Sequence, residues 1–191
     1  MKRVWLFAAG ALCGIVAMGI PRAMMHLQAA LRAQRGRSSS GAERVHTEER
    51  FAFTANAPME KVAPLFGADK ERVWAPNWNP QFIHPLPASD GQGMVFTVAH
   101  DHLKATWVNT EFDQEKGRIQ YVYMIPEAMV TVITLRLTQQ DNKTRVDVEY
   151  QRTALGAEAD AHVRHMGEGD RNSGPDWERR VNGYLREVRT Q

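Results

Sequence analysis

Hydrophobic and polar positions alternate along most of the middle of the chain, with the period of two that is typical of half-buried β-strands. In residues 118–125, for example, Ile119, Tyr121 and Tyr123 fall on one face of the predicted strand. Six segments have this pattern, and we predict strands over residues 49–57, 94–100, 103–112, 118–125, 130–137 and 144–153. Short turns that are polar or contain Pro or Gly join the last five, so we predict that these strands pair as an antiparallel meander.

Three segments have helical signals instead. A short apolar face that follows Pro58 and ends at Gly67 predicts one helix. Residues 154–166 predict a second helix, which ends before a Gly-rich polar break over residues 167–174. The last helix, residues 175–188, has one apolar stripe at a spacing of 3.6 residues per turn, formed by Trp177, Val181, Tyr184, Leu185 and Val188. This stripe needs an apolar surface, so we predict that a curved sheet closes over the helix and leaves a space between them.

The first 40 residues have a different composition. Lys2 and Arg3 precede an apolar run over residues 4–20, which is typical of a secretory signal or a short membrane anchor. No clean Ala-x-Ala cleavage site follows, and Leu12 precedes Cys13 where a lipoprotein signal needs a small residue. We therefore favour an uncleaved single-pass membrane anchor over a cleaved signal of a secreted or periplasmic protein, with a buried soluble helix as the third alternative. Arginines also follow the run, so the positive-inside rule does not give the side of the membrane.

The chain then divides into three parts by composition: a signal-anchor or transmembrane segment (1–22), a basic, polar linker (23–43) and one folded domain (44–191). The whole chain has a formal charge of +2, but its first 40 residues contain six basic residues and no acidic one. The remaining 18 basic and 22 acidic residues leave a net charge of about −4. A mildly acidic domain argues against nucleic-acid binding, which needs clustered Lys and Arg.

Several kinds of chemistry have no candidate residues in this sequence. Cys13 is the only cysteine, so an intramolecular disulfide and a cysteine-based metal site are excluded. No glycine-rich phosphate loop follows a strand, and no Ser lies in a nucleophile elbow, so we expect neither a dinucleotide cofactor nor covalent hydrolysis. The pairs His100/His102 and His162/His165 have no third ligand at an evident spacing, so we expect no metal. We expect no cofactor of any other kind.

Four stretches resemble a known superfamily. They are the loop WAPNWNP (74–80), GQGMVFT (91–97), TEFDQEKGRIQYVY (110–123) and TRVDVEYQRTAL (144–155). With the order of the elements, they are similar to the SRPBCC superfamily, also called START-like or polyketide cyclase/dehydrase-like, over residues 48–188. The resemblance implies an α+β helix-grip fold: a curved antiparallel sheet of six or seven strands wraps a long C-terminal helix, with two short helices. The N-terminal transmembrane helix would be an addition to that fold.

The same resemblance implies a cavity between sheet and helix that, in such proteins, binds lipids, sterols, polyketides or other apolar small molecules. We expect the lining to come from the aromatic loop, the apolar strand faces and the last helix, with these candidate ligand-binding residues: Trp74, Trp78, Phe82, Phe96, Trp107, Tyr121, Tyr123, Tyr150, Arg152, Trp177 and Tyr184. Trp74 and Trp78 have a second interpretation, as anchors of their loop against the sheet. Arg152 continues an apolar face, so it either receives a ligand carboxylate or pairs with a structural acid such as Glu111.

Three functions are compatible with these residues. The first is membrane-tethered, non-catalytic binding of a hydrophobic small molecule, whether lipid, polyketide-like or aromatic. The second is a cofactor-free cyclase or dehydratase-like enzyme, which needs at least two of Glu111, Arg152, Tyr121 and His84 to converge in one pocket. The third is a protein-interaction module, which a filled interior would favour. The sequence indicates neither the ligand nor the oligomeric state.

Overall fold

The computed structural model describes residues 43–100 and 103–189, with the side chains of His100 and Arg189 excepted. The predicted anchor, most of the linker and His102 therefore lie outside the described residues. The strands are β1 (His46–Ala55), β2 (Gln81–His84), β3 (Val95–His100), β4 (Leu103–Asp113), β5 (Arg118–Ile125), β6 (Met129–Gln140) and β7 (Lys143–Ala154). The α-helices are α1 (Met59–Val62), α2 (Asp160–Arg171) and α3 (Gly174–Arg189). Short 3₁₀ turns lie at Ala63–Phe66, Lys70–Val73 and Ala157–Ala159.

The strands form one seven-stranded sheet in the order β1-β7-β6-β5-β4-β3-β2. All pairs are antiparallel, which confirms the predicted meander. Strand β1 pairs with β7 and forms one edge of the sheet. The sequence did not predict β2, which is only four residues long and pairs with β3 through Phe82 and Phe96. Prolines on both sides of this segment conceal its pattern, because proline is typical of edge strands and turns.

Alternation places one set of side chains on the concave face of the sheet. The cross-strand register aligns these residues in rows, since Trp107 lies opposite both Phe96 and Tyr123. The next row places Asn109 opposite Tyr121, and Tyr121 opposite Ile133. These residues are buried, so the concave face is the core side of the sheet.

A β-bulge in β4 corrects one sequence-based expectation. The register shifts between Asn109 and Glu111, so that Glu111 lies opposite Gln120 on the convex face. Strict alternation would have put Glu111 beside Trp107, but the extra residue of the bulge, Thr110, reverses the faces. Glu111 therefore does not share a face with Trp107 and Asn109.

The helices differ from the prediction at α2. Helix α1 follows Pro58 as expected, but α2 begins at Asp160 and continues through the predicted glycine-rich break to Arg171. Gly167 is tolerated because the helix packs closely on β1: a Cβ there would lie 3.2 Å from the Thr47 side chain. The break is thus reduced to Asn172 and Ser173, before α3 starts at Gly174.

Helix α3 lies on the sheet through the predicted stripe. Trp177 and Val181 are fully buried, Leu185 is buried, Tyr184 is partly buried against the core and Val188 is exposed. Helix α3 therefore packs on the sheet mainly through the stripe residues of its first two turns. Within the described part of the chain, no helix has the length and apolar character needed to cross a membrane.

Candidate functional site

Aromatic rings fill the space beneath the start of α3. The Trp177 ring centroid lies 5.2 Å from that of Trp74, 5.3 Å from Phe51 and 6.3 Å from Phe66, with which it stacks. Phe53 completes this group at 6.2 Å. The helix side chain that was expected to line a cavity therefore belongs to a packed aromatic cluster. Its indole Nε1 has no hydrogen-bond partner.

Three buried donors hold the covering loop (residues 63–80): two are indoles of the loop itself, and the third is the Tyr121 hydroxyl of β5. They bind carbonyls of one short stretch: Trp74 Nε1 to Leu65 O (2.7 Å), Tyr121 Oη to Phe66 O (2.8 Å) and Trp78 Nε1 to Ala68 O (2.6 Å). Carbonyl groups near the end of the 3₁₀ turn at Ala63–Phe66 have no hydrogen-bond partner within the turn, and these bonds satisfy them. The hydrogen bonds of Trp74 and Trp78 thus brace the covering loop internally, while the second interpretation, anchoring against the sheet, is supported for Trp78 by its ring contact with Trp107. Whether they also contact a ligand stays a prediction.

A second aromatic group lies beneath the covering loop, on β3, β4 and β5. Trp107 stacks on Tyr123 with 4.2 Å between ring centroids and on Phe96 with 5.7 Å. Trp78 meets Trp107 edge-on at 5.4 Å, so the loop ring covers the sheet ring. Phe82, half-buried on the edge strand, packs on Phe96 at 6.2 Å.

Arg152 is buried and fully engaged. It makes a bidentate pair with Asp170 of α2 (2.5 and 2.8 Å), and its Nη1 donates to the hydroxyls of Tyr123 and Thr131, the latter at 3.0 Å. The guanidinium also lies 4.7 Å from the Tyr150 ring centroid. Burial lowers the pKa of Arg152, but Tyr123 and the Asp170 carboxylate outweigh it and raise the pKa, so the side chain stays charged.

This ion pair corrects the alternative in which Glu111 was the structural acid. Glu111 instead pairs with Arg118 (2.8 Å) and Arg136 (3.3 Å) on the convex face. Arg152 ties the sheet to α2 rather than offering a free charge to a ligand carboxylate.

Sequence reasoning missed Glu71. It is the one buried residue of the 3₁₀ turn Lys70–Val73, and it is 1% exposed. Neither carboxylate oxygen has a hydrogen-bond partner. Burial, and secondarily the negative charge of Asp90, raise its pKa well above the usual range, so the buried group favours the protonated form. In the sequence Glu71 lies in a run of charged residues, which is typical of a solvent-exposed loop. No spacing to other residues distinguishes it from its charged neighbours.

Asp90 lies beside the same turn. Its carboxylate packs over Gly67, where an added Cβ would lie 2.1 Å from Oδ2, and it accepts a hydrogen bond from the Asp69 N–H (3.4 Å). A larger residue at position 67 would therefore displace the Asp90 side chain. Burial also raises the pKa of Asp90, although the backbone N–H groups of Asp69 and Ala68 oppose this.

Two more polar side chains on the concave face have no partner. The Trp107 indole Nε1 is unpaired, and so are both the Oδ1 and Nδ2 atoms of Asn109. Both residues are fully buried. The backbone of Asn109 is satisfied, since its N–H donates to Met94 O (2.9 Å) and its carbonyl accepts from Gly93 N–H (2.7 Å). The unpaired groups are therefore the side chains alone.

The four residues proposed for an enzyme do not come together. Glu111 is on the convex face, His84 is exposed on β2, Arg152 is bound to Asp170, and the Tyr121 hydroxyl donates to Phe66 O. Among the residues that the structure describes, no group of three His, Cys, Asp or Glu side chains is arranged to hold a metal ion.

A shallow groove of about 400 Å³ lies on the convex face, across β1, β7 and β6. Its charged rim is internally paired: Arg50 binds Glu149, and Arg145 binds Asp147 at 2.7 Å. Arg136, on the same rim, pairs with Glu111. The groove is separated from the concave aromatic face by the sheet itself, so it is not the predicted ligand cavity.

No protein-family model and no curated protein matches the sequence. Solved structures do match the fold. A structure of norcoclaurine synthase from Thalictrum flavum, in complex with dopamine and hydroxybenzaldehyde, has a TM-score of 0.56 at 11% identity, covering 80% of this chain and 94% of that one.

Two further solved structures are similar. The Zhui aromatase/cyclase from Streptomyces sp. R1128 has a TM-score of 0.55 at 16% identity, covering 75% of this chain and 96% of that one. Ara h 8.0201 has a TM-score of 0.53 at 13% identity, covering 75% and 99%. With the seven-stranded antiparallel sheet and the C-terminal helix, these likenesses show that the chain has the helix-grip fold of SRPBCC and Bet v 1-like proteins.

Proposed function

We propose that the domain binds a hydrophobic small molecule against the concave face of its sheet, without catalysing a reaction. The observation that carries this proposal is the aromatic surface beneath the covering loop, where Trp107, Tyr123 and Phe96 stack in one group. Such a surface, with a few inward polar atoms, is the composition of small-molecule sites. Trp78 covers it from the covering loop, so binding requires this ring to move.

The structural likenesses support the class of ligand. Norcoclaurine synthase was solved with dopamine and hydroxybenzaldehyde, both aromatic, and Zhui is described as an aromatase/cyclase. Fold similarity at this level of identity does not transfer an activity, so the ligand class rests on the aromatic lining of this chain as well.

We further propose that residues 4–20 tether the domain to a membrane as an uncleaved anchor. The apolar run and its basic flanks support this proposal. Carbonate washing of membranes from expressing cells is the test. The full-length chain is expected in the pellet and a variant lacking residues 1–22 in the supernatant; release of the full-length chain would refute tethering.

Extraction of the purified full-length protein tests ligand binding. Organic extracts analysed by mass spectrometry are expected to contain a co-purifying apolar or aromatic compound. Trp107→Leu should lose it, while the convex-face control Thr134→Val should keep it. If wild-type protein yields no compound and responds to no lipid or aromatic probe, the binding proposal is wrong.

A cofactor-free enzyme is the second candidate, and Glu71 is the observation that favours it. Burial raises the pKa of the Glu71 carboxyl, and a carboxyl with a raised pKa is a candidate for general acid–base catalysis. The test is incubation of the extracted compound with protein. Glu71→Gln should then retain binding and abolish any change in the mass of the compound. If the wild-type protein leaves the compound unchanged, the enzyme candidate is wrong and only the binding proposal stands.

A protein-interaction module is the third candidate. The packed cluster around Trp177 favours it, and so do Ile83 and Leu86 on the β2 edge, which are 52% and 71% exposed. It predicts that extracts hold no compound, and that Leu86→Ser weakens a partner interaction without a loss of stability.

A further inference from the structure

Among the residues that the structure describes, three buried polar side chains in and beneath the covering loop lack hydrogen-bond partners: Glu71, Trp107 and Asn109. A buried polar group without a hydrogen bond is costly, and native proteins contain only a few of them. One such group is a local exception. Three in one region indicate a site built for a partner that the described part of the chain does not supply.

The geometry brings the three together around Tyr121. Asn109 lies directly opposite Tyr121 across β4 and β5, and Trp107 is two residues from Asn109 on the same face. Glu71 approaches from the covering loop, because its N–H binds Gly67 O (2.9 Å) one residue from the carbonyl that Tyr121 binds. Burial raises the pKa of Tyr121, and the negative charges of Glu71 and Asp90 act in the same direction.

We propose that Glu71, Asn109 and Trp107 form a recognition site for the carbonyl or hydroxyl oxygen of a neutral aromatic ligand. This inference rests on the proposed binding function and deepens it by naming the polar half of the ligand. The indole N–H and the carboxamide Nδ2 donate hydrogen bonds, and a protonated carboxyl adds a third donor. The aromatic part of the ligand takes the place of the Trp78 ring, which now covers Trp107 edge-on.

Charge selects against ionic ligands at this site. A ligand carboxylate would meet Glu71 and Asp90, and the buried guanidinium of Arg152 is already held by Asp170. A cationic ligand would need Glu71 ionised, which burial and the neighbouring Asp90 oppose. Asp69 and Lys70 also act on Asp90, with opposite effects on its pKa. A neutral ligand avoids both costs.

A matched pair of probes tests this site: 2-naphthol, and naphthalene as the same ring system without the hydroxyl. Affinities are measured by equilibrium dialysis on the full-length chain. We expect wild-type protein to bind 2-naphthol about tenfold more tightly than naphthalene, as one or two buried hydrogen bonds provide. Glu71→Leu and Asn109→Leu should each remove most of this preference, measured as the ratio of the two affinities. Both variants remove an unpaired polar group, so both are expected to fold.

Two controls sharpen the result. Glu71→Gln retains donor and acceptor atoms and should keep the preference, and Glu149→Gln on the convex face should change nothing. Equal wild-type affinities for the two probes would overturn the polar site and leave the proposed binding function standing. A preference that survives in Glu71→Leu and Asn109→Leu would also overturn it. Binding of neither probe up to its solubility limit would overturn the polar site for an aromatic ligand, and the extraction experiment then decides the proposed binding function.

Discussion

Replacing Glu71 by Gln is expected to stabilise the protein at neutral pH. In the folded state the carboxyl is buried and unpartnered, and its pKa is raised by burial and by Asp90. In the unfolded state it is exposed, with an ordinary pKa of about 4.3. Between these two values the folded protein holds a proton that the unfolded chain releases. Wild-type stability therefore falls as pH rises above about 4.3, until the folded carboxyl itself ionises.

The magnitude follows from proton linkage. Each pH unit in this interval lowers the free energy of unfolding by about 1.4 kcal/mol. Glutamine has nearly the same shape and never ionises, so Glu71→Gln should raise the free energy of unfolding at pH 7.5, by at most about 4 kcal/mol, and hardly change it at pH 4.5. In this variant the free energy of unfolding should depend less steeply on pH. Some dependence should remain, because burial also raises the pKa of Asp90.

Urea unfolding followed by tryptophan fluorescence at pH 4.5, 6 and 7.5 measures this effect. Glu149→Gln is the matched control: the Arg50 hydrogen bond lowers the pKa of Glu149 on the convex face, so its loss should destabilise slightly at pH 7.5, by less than about 1 kcal/mol. A wild-type stability that is flat from pH 4.5 to 7.5, or a Glu71→Gln variant less stable than wild type at pH 7.5, would refute the reasoning.

Three further predictions concern stability in urea at pH 7. Trp177→Ala should cost about 3 to 5 kcal/mol, because the ring is fully buried among four others, and Tyr184→Ala, which is only partly buried, should cost about half as much. Val188→Ala, exposed on the same helix, should stay within about 0.5 kcal/mol and serves as the control. Arg152→Met should cost about 3 to 5 kcal/mol by leaving Asp170 buried without its partner, and adding Asp170→Leu should recover most of it. Equal losses in the two aromatic variants, or no recovery in the double variant, would contradict these expectations.

The sheet was predictable from the sequence because its signal is local. Residues 118–125 were predicted with the boundaries of β5, since alternation continues to both ends and polar or turn residues stop it. Prediction failed where a non-local contact decides the structure. The bulge at Thr110 leaves no sign in the alternation, and Gly167 is tolerated within α2 only because the helix packs closely on Thr47.

The candidate site was less predictable, for a related reason. The aromatic residues were found because large apolar side chains on strand faces are nearly always buried. Glu71 was missed because a charged residue in a charged run is nearly always exposed, and its burial depends on how the covering loop folds over the sheet. The pairing of Arg152 with Asp170 was missed too, since the two are brought together by α2 crossing the sheet.

The two halves of the concave face now have different roles. Under α3, Trp177 packs against Phe51, Phe66 and Trp74, and one unpaired indole N–H is a small cost against the burial of so large a ring. Under the covering loop, the same kind of aromatic packing lies beside three side chains whose polar atoms have no hydrogen-bond partner. Replacing Glu71 by an apolar residue of similar size would remove the free-energy cost of burying its unpaired carboxyl. The sequence located the ligand between the sheet and α3. We infer instead that the helix half holds the fold together, and that the loop half, with its unsatisfied donors, is where a ligand is recognised.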